Sequence, residues 1–233
     1  MGYKVLNASE VEQFMELGWV KLEEAFPRKK ALAAQQIVWD NVEKRDVLRN
    51  DKSTWTQPLL RMNEGYDTDE FRECNTERMA DAVEDLVGEG RWQHRGKAAS
   101  WGWWPVNFAL GADKPWDVPV GGWHYDGQHF RHYVDSWEQG LLLLCLFSEI
   151  GPRGGGTVVA EGSHKIVAKV LADHPNGLEH GEAINLSKQH PWLAELTGAT
   201  SETESEEAAS SVSGSNRIER FMNKYTESDG MQL

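Results

Sequence analysis

Seven consecutive apolar residues, Leu141 to Phe147, constrain the fold of this chain more than any other feature. The run is far shorter than the ~20 residues of a membrane-spanning helix, and none of its positions is suited to face water. A short, continuous apolar run is typical of a strand that is covered on both faces. The sequence therefore predicts a central, fully buried strand that pairs antiparallel with a neighbour in a core sheet.

The first 95 residues show helical patterns instead. Ser9-Glu10-Val11-Glu12 has the form of a capping box, and a short strand is predicted at residues 19–22. Pro27 suits the opening turn of a helix that runs to about Lys44. The apolar stripe of this helix consists of Ala31, Ala34, Val38 and Val42. Residues 45–70 are predicted to be a long loop, after which Thr76 caps a third helix that ends at Gly88.

Strand-like patterns begin after residue 96. Residues 98–104 and 106–110 form two short β runs separated by Pro105, and Thr157 to Ala160 forms another. Helices followed by short strands indicate an α+β fold with a mainly β core. We expect one domain over residues 1–233, with a helical part at 1–95 and the core strands at 96–165. The Ser/Glu-rich stretch 200–216 lacks the apolar residues needed to repay ordering, so a mobile acidic loop is expected there.

A candidate metal motif precedes the apolar run. His124-Tyr125-Asp126 lies between the glycines of Gly121 to Gly127. In an extended strand, residues i and i+2 project from the same face, so His124 and Asp126 are expected to share a face while Tyr125 points away. Two histidines and one carboxylate on one face of a metal form the ligand set of non-haem Fe(II) oxygenases. The motif supplies two of these three ligands.

The order of motifs from about Asn7 to Lys165 resembles that of the phytanoyl-CoA dioxygenase family. These proteins are Fe(II)/2-oxoglutarate-dependent oxygenases with a double-stranded β-helix, a cupin-like jelly roll. After the His-x-Asp come the apolar strand, a glycine turn at Gly154 to Gly156, the strand from Thr157 and the turn Glu161 to Lys165. Glu161 stands where the family usually has proline.

The resemblance implies hydroxylation of a small-molecule substrate with Fe(II), 2-oxoglutarate and O₂. His124 and Asp126 would be the catalytic metal ligands. A carboxylate at Asp126 favours hydroxylation, since halogenating relatives have glycine or alanine there and so leave a position for chloride. The family's second histidine and the cation that holds 2-oxoglutarate come late in its sequences, and neither is identified here.

Few residues after the motif are candidates for the third ligand. Loop positions are predicted for His174, His180 and His190, and each is disfavoured as a ligand, as is His164 in its turn. Arg217 and Arg220 share a helix face but suit a solvated surface better than 2-oxoglutarate capture. The sequence is therefore interpreted either as lacking its C-terminal part or as a shortened protein that has lost the site.

The tryptophans suggest where a substrate pocket lies. Six of the eleven fall between Trp92 and Trp123, just before and within the metal motif. Core packing is the more usual role of such residues, and an aromatic-walled pocket is the functional alternative. The pocket candidates are Trp101, Trp103, Asn107, His129 and Arg131.

Charge and cysteine content limit the partners and the compartment. A net charge of −13 argues against nucleic acid and anionic membrane surfaces as partners. No secretory signal is apparent. Cys74 and Cys145 do not make a disulfide framework, and a reducing cytoplasm suits both the thiols and ferrous iron. The sequence does not indicate an oligomeric state.

Two other classes of function remain open on this sequence. One is a non-catalytic jelly-roll binding module, and the other is a cupin-like metalloenzyme that uses no 2-oxoglutarate. With only two ligands identified, residues 1–233 are expected to be a poor oxygenase, whereas a longer parent protein would be active.

Overall fold

The computed structural model describes residues 2–92, 101–111, 113–115, 118–119, 121–151 and 154–198. These residues form helices and one small antiparallel sheet, which confirms the predicted mixture of helix and sheet. The helices are α1 (Ala8–Leu17), α2 (Arg28–Glu43), α3 (Asp69–Arg72), α4 (Glu77–Val87), α5 (Ser163–Ala172), α6 (His180–Ser187) and α7 (Pro191–Leu196). The strands are β1 (Leu59–Met62) and β2 (Trp104–Asn107). Within the described residues, no helix is long and apolar enough to cross a membrane.

The N-terminal helices follow the sequence patterns closely. The predicted stripe of α2 is buried at all four positions, Ala31, Ala34, Val38 and Val42. The side chain of Thr76 accepts a hydrogen bond from the backbone N–H of Met79, which confirms the predicted cap of α4. Helix α1 differs in its start, because its capping box is formed by Asn7 and Glu10 rather than by Ser9. Asn7 and Ser9 can both cap a helix, and Asn7, which comes first in the sequence, caps α1.

Helix α1 ends where a later segment packs against it. Gly18 has a left-handed backbone (φ 84°), and a Cβ there would lie 2.5 Å from Nδ1 of His164. The backbone N–H of Gly162 donates to the carbonyl of Leu17 at 2.8 Å, and the indole N–H of Trp19 donates to Glu161 at 2.9 Å. The turn Glu161 to Lys165 is thus fixed to the end of α1, and α5 begins within it at Ser163.

The sheet pairs two segments that the sequence patterns did not associate. Strands β1 and β2 are antiparallel, with Leu59 opposite Asn107 and Met62 opposite Trp104. The prediction of a continuous loop over residues 45–70 is therefore wrong. Pro105 lies inside β2 instead of separating two strands, which a two-stranded sheet permits because each strand has a free edge. Neither 19–22 nor 157–160 forms a strand, whereas α6 begins at His180 and α7 directly follows His190, where loop positions were predicted.

The predicted central strand is the main departure. Residues 141–147 form no strand with any described residue. Leu142, Leu143 and Leu144 are 63%, 40% and 60% exposed, so the prediction of full burial is wrong. Cys145 and Phe147 do pack against the core. The apolar run indicated cover on two faces, but the described structure covers one.

The larger core lies among α2, α3 and the sheet. Phe71, Cys74, Val42 and Met62 are fully buried there, and the rings of Tyr66, Trp101, Trp104 and Phe147 surround Phe71. A second, smaller cluster joins α5 and α6 through Leu171, Leu178 and Ala183. The acidic stretch 200–216, the helix expected after it, and Arg217 and Arg220 lie outside the described residues.

Asp85 fixes the N-terminal segment to α4. Its carboxylate accepts hydrogen bonds from the backbone N–H groups of Lys4, Val5 and Leu6 at 2.8, 2.8 and 2.9 Å. Burial opposes ionisation of this carboxyl, but the three N–H donors and the charge of Lys4 outweigh it. The pKa of Asp85 therefore lies below its ordinary value.

We expect Asp85→Asn to lower the free energy of unfolding at neutral pH by ~1–3 kcal/mol, because an amide offers only one acceptor oxygen to three donors. Because the pKa of Asp85 is lower in the folded state, its carboxylate stabilises the fold fully at pH values above the unfolded pKa of ~3.9. This contribution disappears as the pH falls through the lower folded pKa. Urea unfolding of the wild type and Asp85→Asn should thus differ at pH 7 and converge at low pH. The exposed Asp113→Asn is the control, and an equal loss in both variants would contradict the assignment.

Candidate metal site

His124 and Asp126 lie on the same side of their segment. Nε2 of His124 is 3.5 Å from Oδ1 of Asp126, as the i, i+2 spacing predicts. The segment itself is not a regular strand. Both side chains are exposed, to 60% and 61%, so the described residues do not enclose the pair.

A backbone contact fixes the tautomer of His124. Its Nδ1 lies 2.7 Å from the carbonyl oxygen of Gly122. Because a carbonyl only accepts hydrogen bonds, Nδ1 must carry the proton. In the neutral ring, Nε2 is then an unprotonated nitrogen that points toward a carboxylate oxygen. Two acceptors that face each other are favourable only with a cation between them, which is either a proton on Nε2 or a metal ion.

The spacing of the pair fits a metal chelate. Ligand atoms ~2.1 Å from a metal are ~3.0 Å apart when they subtend a right angle and ~3.4 Å apart in a tetrahedral arrangement. The observed 3.5 Å is close to the tetrahedral value, whereas a right-angle arrangement would need the two atoms to move together by about 0.5 Å. A hydrogen bond from the second ring nitrogen to a carbonyl is also the usual arrangement of metal-binding histidines. The two residues present fit two positions of the expected ligand set.

Tyr125 occupies the opposite, buried side of the segment. Its ring packs edge-on against the rings of His132 and His180, at centroid distances of 5.1 and 5.2 Å. Burial raises the pKa of its phenol, and the hydroxyl is buried without a hydrogen-bond partner among the described residues. Exposed and half-buried side chains thus alternate from His124 to Asp126, as the sequence predicts, although the segment is not a regular strand.

Residues after the motif dock onto the turn between α5 and α6. The backbone N–H of His132 donates to the carbonyl of Leu178 at 2.8 Å, and that of Leu178 donates back at 2.9 Å. The guanidinium of Arg131 donates to the carbonyls of Asn176 and Gly177 and to the carboxylate of Glu179. Arg131, predicted to touch substrate or cosubstrate, therefore has a structural set of partners.

The other predicted pocket residues are not gathered around the metal motif. Trp101 packs in the large core against Phe26 and Phe147. Asn107 ends β2 and its amide donates to the carbonyl of Pro105 at 3.4 Å. Trp103 and His129 are exposed. Trp101 and Asn107 thus belong to the core and its sheet, whereas His129 belongs to the segment that meets α5 and α6.

Three of the four later histidines contact backbone carbonyls. Nδ1 of His174 contacts the carbonyl of Val170 at 2.7 Å, and Nε2 of His180 contacts the carbonyl of Tyr125 at 2.6 Å. His190 is exposed at the start of α7. His164 contacts the carbonyl of Met15, in keeping with its predicted structural role. Among the described residues, no group of three His, Cys, Asp or Glu side chains is placed to hold a metal ion.

Comparison of the chain with protein-family models, with curated protein sequences and with solved structures found no match. The resemblance to the phytanoyl-CoA dioxygenase family therefore remains a prediction from the motifs.

The sequence patterns gave no role to His132, the most buried polar residue near the motif. It is fully buried, and its Nε2 donates to the carbonyl of Gly127 at 2.8 Å. Gly127 has φ +116°, and a Cβ there would lie 2.6 Å from Cε1 of His132. The only signal in the sequence was a glycine five residues before a histidine, which by itself does not indicate contact.

We expect Gly127→Ala to lower the free energy of unfolding by about 2 kcal/mol or more, because it combines an unfavourable φ with overpacking against His132. Gly121→Ala is the matched control, since a Cβ at Gly121 would meet nothing within 4 Å. Denaturant unfolding of both variants provides the measurement. Similar stabilities for the two would show that the close approach of Gly127 to His132 is not present in solution.

Proposed function

We propose that this protein is an Fe(II)/2-oxoglutarate-dependent oxygenase of the phytanoyl-CoA dioxygenase type that hydroxylates a small-molecule substrate. His124 and Asp126 are its first two iron ligands, and a jelly roll is the fold in which they act. The observation that carries the proposal is the pair itself. Nε2 of His124, whose ring is held through Nδ1 by the carbonyl of Gly122, lies 3.5 Å from a carboxylate oxygen of Asp126.

Each residue of the site has a distinct part in this proposal. His124 donates its Nε2 lone pair, and the Gly122 carbonyl orients the ring and makes the nitrogen more basic. Asp126 supplies a negative charge that offsets part of the charge of a divalent metal. Ferrous iron, when bound with 2-oxoglutarate and O₂, supplies the oxidising chemistry and yields succinate and CO₂ besides the hydroxylated product. The proposal requires a third protein ligand besides these two.

A non-catalytic binding module is the second candidate. It is favoured by the exposure of both side chains, 60% and 61%, because oxygenase sites are usually shielded from water. In that case the His124–Asp126 contact is a surface ion pair that carries a proton, and such pairs contribute little to stability.

Metal binding distinguishes these functions. We expect Co(II), titrated as an oxygen-stable substitute for Fe(II), to bind the wild type and to bind His124→Ala and Asp126→Ala at least ~10–100-fold more weakly. His129→Ala is the matched control, since it removes an exposed histidine close to the motif without touching the pair. Isothermal calorimetry gives the affinities. Equal affinity in all four proteins would contradict the assignment of the ligands.

Turnover separates the oxygenase from a metalloprotein that does not use 2-oxoglutarate. Succinate formation from 2-oxoglutarate is measured with Fe(II) under air, for the wild type and for His124→Ala. Because the described residues present two ligands, slow turnover that disappears in the variant is expected. Metal binding without any succinate would favour the cupin-like alternative, and no metal binding would favour the binding module.

A further inference from the structure

We propose that His132 and His180 are positioning residues that clamp the backbone beneath the metal motif and so set the separation of His124 and Asp126. This inference rests on the proposed function for its purpose, but its geometry is independent of any metal. The two histidines come from different parts of the chain. His132 follows the motif, and His180 is the first residue of α6.

The clamp consists of two equivalent hydrogen bonds to alternate carbonyls. Nε2 of His180 lies 2.6 Å from the carbonyl oxygen of Tyr125, and Nε2 of His132 lies 2.8 Å from that of Gly127. Carbonyls two residues apart in an extended chain are the ones that a neighbouring strand would bind. Here two imidazole side chains provide the donors that a paired strand would otherwise supply.

The rings also hold each other. The centroids of His132 and His180 are 5.5 Å apart, and both rings pack against Tyr125. Phe130 packs on His132 at 4.5 Å. Contacts therefore hold Tyr125 both at its carbonyl and at its ring. The neighbouring side chains, His124 and Asp126, remain available to a ligand.

One buried ring nitrogen of His132 has no hydrogen-bond partner among the described residues, so this arrangement of the two histidines carries a cost in free energy. Because Nε2 of His132 donates to a carbonyl, Nδ1 is an acceptor in the neutral ring, yet it is buried without a partner among the described residues. An unsatisfied buried polar atom costs ~1–3 kcal/mol. Unpaired polar groups in native structures call for an explanation, and a functional site is a common one. A role in fixing the motif would account for a histidine at this buried position.

The clamp is connected to helices α5 and α6 by hydrogen bonds and packing. His132 pairs with Leu178 through two backbone hydrogen bonds, and Arg131 is tied to residues 176–179. Leu178 belongs to the apolar cluster of α5 and α6. A site supported by packed helices holds its geometry better than one on a free loop. The packing of α5 and α6 thus helps to set the distance between the two proposed metal ligands.

The first test requires no metal. Backbone ¹⁵N relaxation is measured for Trp123 to Gly127 in the wild type, His180→Phe and His180→Gln. Phenylalanine keeps a ring but has no donor, whereas the glutamine amide nitrogen reaches the same carbonyl as Nε2. We expect order parameters near ~0.85 in the wild type, a fall toward ~0.6 in His180→Phe, and recovery in His180→Gln.

The second test measures the metal. Co(II) affinity should fall ~10–100-fold in His180→Phe, with altered visible absorption bands of the bound ion, and should recover to within a few-fold in His180→Gln. His174→Phe is the matched control, because it removes a histidine–carbonyl contact from the end of α5 without touching the motif. Thermal unfolding is followed for every variant. If His180→Phe does not fold, His180→Asn takes its place, since its amide is too short to reach the Tyr125 carbonyl.

The outcomes separate the clamp from the proposed function. Unchanged order parameters in His180→Phe would overturn the clamp, whatever the metal does. Altered order parameters in a protein whose wild type binds no Co(II) would support the clamp and overturn the proposed metal site. A loss of Co(II) affinity that is equal in His180→Phe and His180→Gln would also overturn the clamp, because the hydrogen bond would then not be what matters.

Discussion

Phe71 is the ring around which the larger part of the molecule packs. It is fully buried and contacts Tyr66, Trp101, Trp104 and Phe147 at centroid distances of 5.0 to 6.0 Å. These contacts join α3, the chain that leads into the sheet and the end of the apolar run. Burying an aromatic side chain of this size is worth several kcal/mol, so the layout of the N-terminal part depends on this one cluster.

The metal motif depends on a different set of contacts. Tyr125 packs against the smaller cluster formed by Leu171, Leu178 and Ala183, and hydrogen bonds from histidines hold the backbone at Tyr125 and Gly127. A substitution in the large core that leaves α5 and α6 folded should therefore change stability more than the geometry of His124 and Asp126. The turn between α5 and α6 supports the motif through its contacts with Arg131 and His132.

The exposed leucines of the apolar run follow from its one-sided packing. Cys145 and Phe147 pack against the core, whereas Leu142, Leu143 and Leu144 are exposed. Burial raises the pKa of the Cys145 thiol to about 11, which marks it as an inert packing residue rather than a reactive one. The run thus differs from the predicted central strand, which would have cover on both faces.

The sequence by itself determined helices α1, α2 and α4, because their signals are local. The capping residues before α1, the stripe of α2 and the Thr76 cap of α4 each depend on residues within a few positions of one another. The same holds for His124 and Asp126, whose shared side follows from their i, i+2 spacing. Only the tertiary structure decided which distant segments meet. Three features depend on contacts between residues far apart in the chain: the pairing of β1 with β2, the single covered face of residues 141–147 and the two histidines beneath the motif. In each case, no local sequence pattern indicates which distant residue makes the contact.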